Sequence, residues 1–316
     1  MAEKKKYYIF EVAKFIACIM IINSHCRELY PVQYLAVGGA FGNGIFFILS
    51  GYFNYNIKGN FNDWIAKKVA RLMPAVLIII LLEELINIIV YNKIIKPLDI
   101  INQYWFIFAL FIYLFISYAI FKSKNTRALF IFILLLQVIY VILYIINFKS
   151  TFFVELEGFR ILKVIEYGII YLYGGLFCSM EKNILNIIKV KKISNISLIS
   201  GILLSMFMWV LIYFLVFAKE MYYRGQILIP LSIILFSLFV LAFSLNNKEV
   251  NCTFAKKIVS LISASTLEIY LVQVTYQRFV HFNLFPIGLL CFWIFSLAIG
   301  SGFHISLSSM KQKLRK

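Results

Sequence analysis

The chain has 316 residues, of which 62% are apolar and 14% charged, and its mean hydropathy is +0.89. A soluble domain of this length cannot hide so much apolar surface, since a packed globule still has a wide exterior to cover with polar groups. The net charge of +17 does not indicate a nucleic-acid partner: such proteins gather their cations on one face, whereas here Lys and Arg sit in small clusters between long apolar runs, as cytoplasmic loops do. An all-α, polytopic integral membrane protein is the expected class.

At the N-terminus, Lys4, Lys5 and Lys6 precede an apolar run with no small-x-small cleavage site, and His25 before Cys26 is wrong for a lipoprotein site. The first segment is therefore read as a retained span rather than a signal peptide. Stretches able to cross about 30 Å of hydrocarbon, each of about 20 residues, lie near 7–27, 37–57, 72–92, 100–121, 127–147, 161–180, 194–217, 226–245, 257–277 and 285–308. That makes ten, joined by short polar connections such as Lys122–Arg127 and Lys248–Lys257. With no repeat, low-complexity linker or long loop, residues 1–316 are read as a single transmembrane domain. If the N-terminus is cytoplasmic, the inward segments carry 21 Lys and Arg and the outward ones 9. An even number of spans then leaves both termini in the cytoplasm, in accord with the positive-inside rule.

The five cysteines (Cys18, Cys26, Cys178, Cys252, Cys291) are dispersed, with no CxxC pair. They form neither a disulfide framework nor a zinc site; they are read as core residues, and no metal is expected.

Ionisable groups at bilayer depth are costly and normally face a polar interior. Those here are Glu11, Lys14 and His25 in the first stretch, Glu83 and Glu84 in the third, Glu166 in the sixth and Glu268 in the ninth. Lys14 and His25 are eleven residues apart, which is three helical turns plus about 20°, so they share a face and stand roughly 16 Å apart along the axis. Glu11 and Cys18 join that stripe. Two readings stand at this point: the face lines a polar passage, or His25 is interfacial, Lys14 snorkels and Glu11 pairs with it. Glu28 follows His25 by three residues; if the helix continues, its carboxylate could hold one imidazole nitrogen and make the other a better base. Otherwise it is a loop acid beside Arg27.

The second stretch opens with Gly38, Gly39, Gly42 and Gly44 and runs on to Phe46, Phe47, Ser50 and Gly51. Glycine at this density lets backbones approach closely or breaks a helix beside a cavity. Ser50 is a conceivable nucleophile, but nothing in the sequence places a base beside it. Lys67, Lys68 and Arg71 precede Pro74. If Pro74 opens the third helix, where its missing N–H is no loss, the three cations beside a helix N-terminus make a phosphate site; the plainer reading is cytoplasmic anchoring.

Taken in order, these segments resemble the bacterial integral-membrane acyltransferase family, acyltransferase family three, whose members O-acetylate surface polysaccharides and related glycans. The resemblance rests on a cation, ten intervening residues and a histidine (Lys14, His25), Phe-Phe-x-x-Ser-Gly (Phe46, Phe47, Ser50, Gly51) followed by Tyr52, and a basic block ending Arg-x-x-Pro (Lys67, Lys68, Arg71, Pro74). Trp105-Phe106, the Gly174-Gly175 pair and the stretch Thr266–Leu271 follow. Two positions depart from the family pattern: Lys14 stands where arginine is usual, losing the bidentate fork, and Gln273 stands where histidine is usual. No hydrolase-like periplasmic domain, such as some relatives carry, is expected.

The resemblance implies an acyltransferase of the inner (plasma) membrane. Acetyl-CoA, or another acyl-CoA, would be the donor substrate, with no permanently bound cofactor, and the acceptor a surface glycan or its lipid-linked precursor. In that frame Lys67, Lys68, Arg71 and Lys14 would hold the nucleotide phosphates, with the pantetheine arm running toward His25. His25, oriented by Glu28, would be general base or acyl carrier, and Ser50, Gly51, Trp105, Glu268 and Gln273 would line the substrate pocket. The alternatives are a non-catalytic partner of polysaccharide export, or a transporter using the intramembrane glutamates, although no internal repeat pairs the two halves.

Overall fold

The structure is a computed structural model, and it describes residues 7–32, 35–96, 99–100, 103–147, 160–217, 227–248, 256–279 and 285–313. The described residues fold into helices throughout: α1 (Tyr8–Ser24), a 3-10 turn (Arg27–Leu29), α2 (Gly39–Asn54), α3 (Phe61–Tyr91), α4 (Trp105–Lys122), α5 (Thr126–Asn147), α6 (Arg160–Ser179), α7 (Glu181–Val190), α8 (Asn195–Phe217), α9 (Leu228–Asn246), α10 (Lys256–Ala264), α11 (Thr266–Phe279) and α12 (Ile287–Lys313). The expected Lys4–Lys6 anchor, Lys149, Lys219, Arg224, Cys252, Arg315 and Lys316 lie outside the described residues.

Among the described residues, α3, α4, α5, α6, α8, α9 and α12 are long and apolar enough to cross a membrane. The α10–α11 pair, bent by 66°, brings the number to as many as eight. The first two expected spans are the short ones: α1 has 17 residues and α2 has 16, about 25 Å of helix each, less than the usual hydrocarbon thickness. The ninth expected span is the bent pair. Its break falls at Ser265, whose hydroxyl bonds the Leu261 carbonyl at 2.7 Å, and Ser and Thr side chains that bond nearby carbonyls commonly bend helices.

The third expected span needs correction at its start. Helix α3 begins at Phe61, where the Asn60 side chain accepts from the Asp63 N–H at 2.8 Å, an N-cap that satisfies one of the free donors of the first turn. Pro74 therefore sits well inside the helix. The turn before it is made by Gly59, whose φ of +84° only glycine adopts at little expense.

The helices gather into two compact units. Unit 1 comprises residues 1–42, 58–108 and 250–316. In it α1 packs on α10, α11 and α12, and α11 packs on α12 and α3. Gly300 brings α12 against the Ile269 backbone: a Cβ there would stand 2.5 Å from the Ile269 Cα.

Unit 2 comprises residues 43–57 and 109–249. Here α8 pairs along its length with α9, α5 with α6, and α9 also meets α6 and α7. The mostly buried α6 and α9 are its inner spans, whereas α5 and α8 are mostly exposed. Helices α2 and α6 touch backbone to backbone: a Cβ at Gly51 would lie 1.7 Å from the Tyr171 carbonyl oxygen, and one at Gly174 would lie 2.0 Å from that of Ile48. At the end of this seam Tyr52 Oη donates to Glu181 Oε2 at 2.6 Å, and Lys248 Nζ donates to Glu181 Oε1 at 2.6 Å. This small network holds the starts of α7 and of the segment after α9 to α2.

Candidate active site

His25 is the C-cap of α1, with its backbone N–H shared between the Ile21 and Ile22 carbonyls at 3.3 and 3.1 Å. The chain that follows is tied back over the helix end. Asn23 Nδ2 donates to the carbonyls of Leu35 and Val37, both at 2.9 Å, and Tyr30 Oη donates to Asn23 Oδ1 at 2.7 Å. The imidazole Nδ1 is buried. Its ring meets that of Tyr270 on α11 edge to face, at a centroid distance of 6.4 Å and an angle of 74°.

From Tyr270 a polar chain runs to α3. Tyr270 Oη donates to the Gln103 carbonyl at 3.3 Å, and Gln103 Nε2 donates to Glu83 Oε1 at 2.7 Å. Beside it, the hydroxyls of Tyr104 and Thr275 are bonded to each other at 3.2 Å. Phe106 covers the Tyr270 ring at 5.5 Å, and Trp105, half-buried, starts α4 next to it. Gln273, one turn past Tyr270, is 1% exposed, and its Oε1 accepts no hydrogen bond from the described residues. The His25 and Tyr270 rings thus meet within unit 1, and the Gln273 amide oxygen lies one turn further along α11.

The basic block lies elsewhere on the same unit. Lys67, Lys68 and Arg71 occupy consecutive turns of α3, Lys67 and Arg71 exposed and Lys68 half-exposed with its Nζ 5.6 Å from the Trp64 ring. Because the helix starts at Phe61, their backbone N–H groups are not free for an anion, so the expected helix-terminus phosphate site is replaced by cationic side chains alone. A fourth cation joins them: Lys311, near the end of α12, donates to the Arg71 carbonyl at 3.3 Å. Arg71 and Glu83 are twelve residues apart on α3, about 18 Å of rise. On α1, Lys14 and His25 are separated by about 16 Å.

A family model described as an acyltransferase domain matches residues 7–308. The chain belongs to the integral-membrane acyltransferase family three. It is a multi-pass membrane acyltransferase, with a donor of the acyl-CoA type implied by the family. Neither a search of curated proteins nor one of solved structures gives a significant match.

The remaining residues of the family pattern divide between the two units. Ser50 and Gly51 belong to unit 2, where Gly51 serves the backbone contact with Tyr171 and Gly174 the reciprocal one with Ile48. The helix does not continue to Glu28: α1 ends at Ser24, the chain enters a 3-10 turn, and Glu28 is exposed. Glu11 accepts a short hydrogen bond from Ser260 on α10. Glu268 lies in the first turn of α11, 3.0 Å from His304 Nδ1. His304, Gln103 and Lys311 were not singled out in the sequence. The available signal for His304 was that Glu268, an acid in an apolar run, required a partner, and His304 is the ionisable group inside the last run.

Proposed function

We propose that the protein moves an acyl group, most simply acetyl, from acyl-CoA to a hydroxyl of a surface glycan or its lipid-linked precursor. The reading includes ten passes through the inner membrane with both termini in the cytoplasm, α1 and α2 being the short ones. The observation that carries it is the pair of matching spacings in unit 1. Two helices each place cations one pantetheine length from the His25 layer, about 16 Å along α1 and about 18 Å along α3. The phosphates of the donor rest on Lys67, Lys68, Arg71 and Lys311, with Lys14 along the way, and the thioester reaches His25.

His25 then takes the proton of the acceptor hydroxyl while that oxygen attacks the thioester carbonyl. The tetrahedral intermediate collapses, the carbon–sulfur bond breaks, and the coenzyme leaves as thiol with the proton. Tyr270 is a positioning residue that fixes the imidazole plane, and the Gln273 amide oxygen is available to an acceptor hydroxyl. Glu83, Glu84 and Glu268 all have protein partners, respectively Gln103, the Ile95 N–H and His304, which weighs against a proton path through them.

The test is transfer of label from acetyl-CoA in membranes carrying wild-type chain or His25→Ala. Label entering extractable glycan with wild type alone supports both enzyme and residue; full transfer by His25→Ala removes the assignment.

A further inference from the structure

Helix α7 is tied in at its start, where Glu181 takes the bonds from Tyr52 and Lys248. It has ten residues, about 15 Å of helix, half of what the hydrocarbon core requires. Met180 alone separates it from α6, and residues 191–194 separate it from α8. Both neighbours are long and apolar enough to cross a membrane. A short helix strung between the ends of two consecutive spans stands at the level of the lipid headgroups, here with α6 and α9 beside it.

Its residues sort onto three faces. Leu185, half-buried, and Ile188, buried, turn toward unit 2. Lys182 and Lys189 are exposed and seven positions apart, so they fall within about 20° of each other. On the other flank Ile187 and Val190 are 48% and 72% exposed. Cations on one outer flank and bare aliphatic side chains on the other are the pattern of a helix lying in the interface, its apolar flank among acyl chains and its ammonium groups among headgroups.

Two more cations, Lys191 and Lys192, follow at its end. The Lys192 N–H donates to the Lys189 carbonyl at 3.1 Å and the Ile193 N–H to that of Ile188 at 2.9 Å, with Lys192 at a φ of +49°. Glycine fills such a left-handed position at less expense, so the turn itself does not call for a lysine. Residues 182–195 contain no acid, and none of the four ammonium groups has an ion-pair partner among the described residues. At that depth the anions within reach are lipid phosphates.

We propose that α7 and the turn after it form a membrane-surface site for anionic phospholipid headgroups, with Lys182, Lys189, Lys191 and Lys192 on the phosphates and Ile187 and Val190 among the acyl chains. The site depends neither on His25 nor on acyl transfer.

The experiment follows amide hydrogen exchange by mass spectrometry, in the full chain held in lipid nanodiscs, for the peptide covering residues 181–192. With phosphatidylglycerol in the disc, exchange is expected to be at least about fivefold slower than in phosphatidylcholine alone, the contribution of one lysine near an anionic surface. Salt at about 1 M, where the screening length is about 3 Å, is expected to remove that protection. So is the combined variant Lys182→Gln, Lys189→Gln, Lys191→Gln, Lys192→Gln. Equal exchange in the two lipids, full protection in the combined variant, or the same protection from inorganic phosphate added to phosphatidylcholine discs overturns the proposal. Should the combined variant fail to fold, the salt series and Lys189→Gln, expected to lose about fivefold of the protection, decide it.

Discussion

The contact between α2 and α6 can be tested with a single methyl group. Replacing Gly51 with alanine puts a carbon 1.7 Å from the Tyr171 carbonyl oxygen and 2.7 Å from its carbon. Carbon and oxygen meet without strain only at about 3.3 Å, so the helices must part by about 1.5 Å or bend locally. A gap of even 0.5–1 Å forfeits roughly a quarter to a half of each contact's attraction, and this seam also includes Ile48 and Gly174. The expected loss is therefore at the top of the range of about 1–3 kcal/mol for overpacked cores, a fall in Tm of roughly 4–5 °C. Gly174→Ala, facing Ile48 at 2.0 Å, is expected to behave alike. Gly302→Ala, in a helix with no other atom within 4 Å, is the control, and its Tm is expected to hold or rise slightly. Thermal unfolding of the purified chain in detergent measures all three. A Gly51→Ala protein melting within about 2 °C of wild type would mean that these two backbones do not touch.

Three further outcomes are expected. Burial disfavours the Glu181 charge, but the bonds from Lys248 and Tyr52 outweigh it and hold the carboxyl below its ordinary value of 4.5. A carboxyl depressed by folding stabilises at pH above its unfolded value and loses that contribution as pH falls through its folded value. The Tm advantage of wild type over Glu181→Gln is thus full near pH 6 and shrinks below about 4.5; an advantage that does not change with pH refutes the network. Glu83→Leu removes the acceptor of the Gln103 Nε2 bond and is expected to lower stability by about 1–3 kcal/mol, with Glu83→Gln milder; identical melting of both with wild type contradicts the polar chain behind Tyr270. Arg71→Ala is expected to raise KM for acyl-CoA by about tenfold, with a smaller change in kcat, as loss of one charge-assisted phosphate contact implies. An unchanged KM places the nucleotide elsewhere.

The apolar runs made most of the spans legible, because about 20 residues without charge have few other uses. What the runs concealed were endpoints. Pro74 invites a helix start, yet Asn60 and Asp63 supply a cap fourteen and eleven residues earlier, and a long helix absorbs an internal proline when its freed carbonyl finds another donor or solvent. The break at Ser265 was equally hidden, since serine in an apolar run reads as part of a span. At the proposed site, Lys14, His25 and the basic block are picked out by spacing on single helices. Tyr270 meeting His25, and Lys311 meeting Arg71, join residues 245 and 240 positions apart, and no local pattern encodes such pairs. The expected bond from Glu28 to His25 depended on one more turn of helix, and the chain leaves the helix at His25.

The shortness of α1 bears on the energetics of moving an acyl group across a bilayer. With only 17 residues, about 25 Å, it demands some 5 Å less hydrocarbon than an average membrane offers. Lipid meeting such a helix thins or lets headgroups dip toward it, each at a modest energy per ångström. With α1 read as one of the ten proposed passes, the two aqueous phases approach each other beside the helix that carries both Lys14 and His25. A donor confined to one side and an acceptor on the other would face the thinnest barrier there, and transfer in reconstituted vesicles would decline as the lipid chains are lengthened.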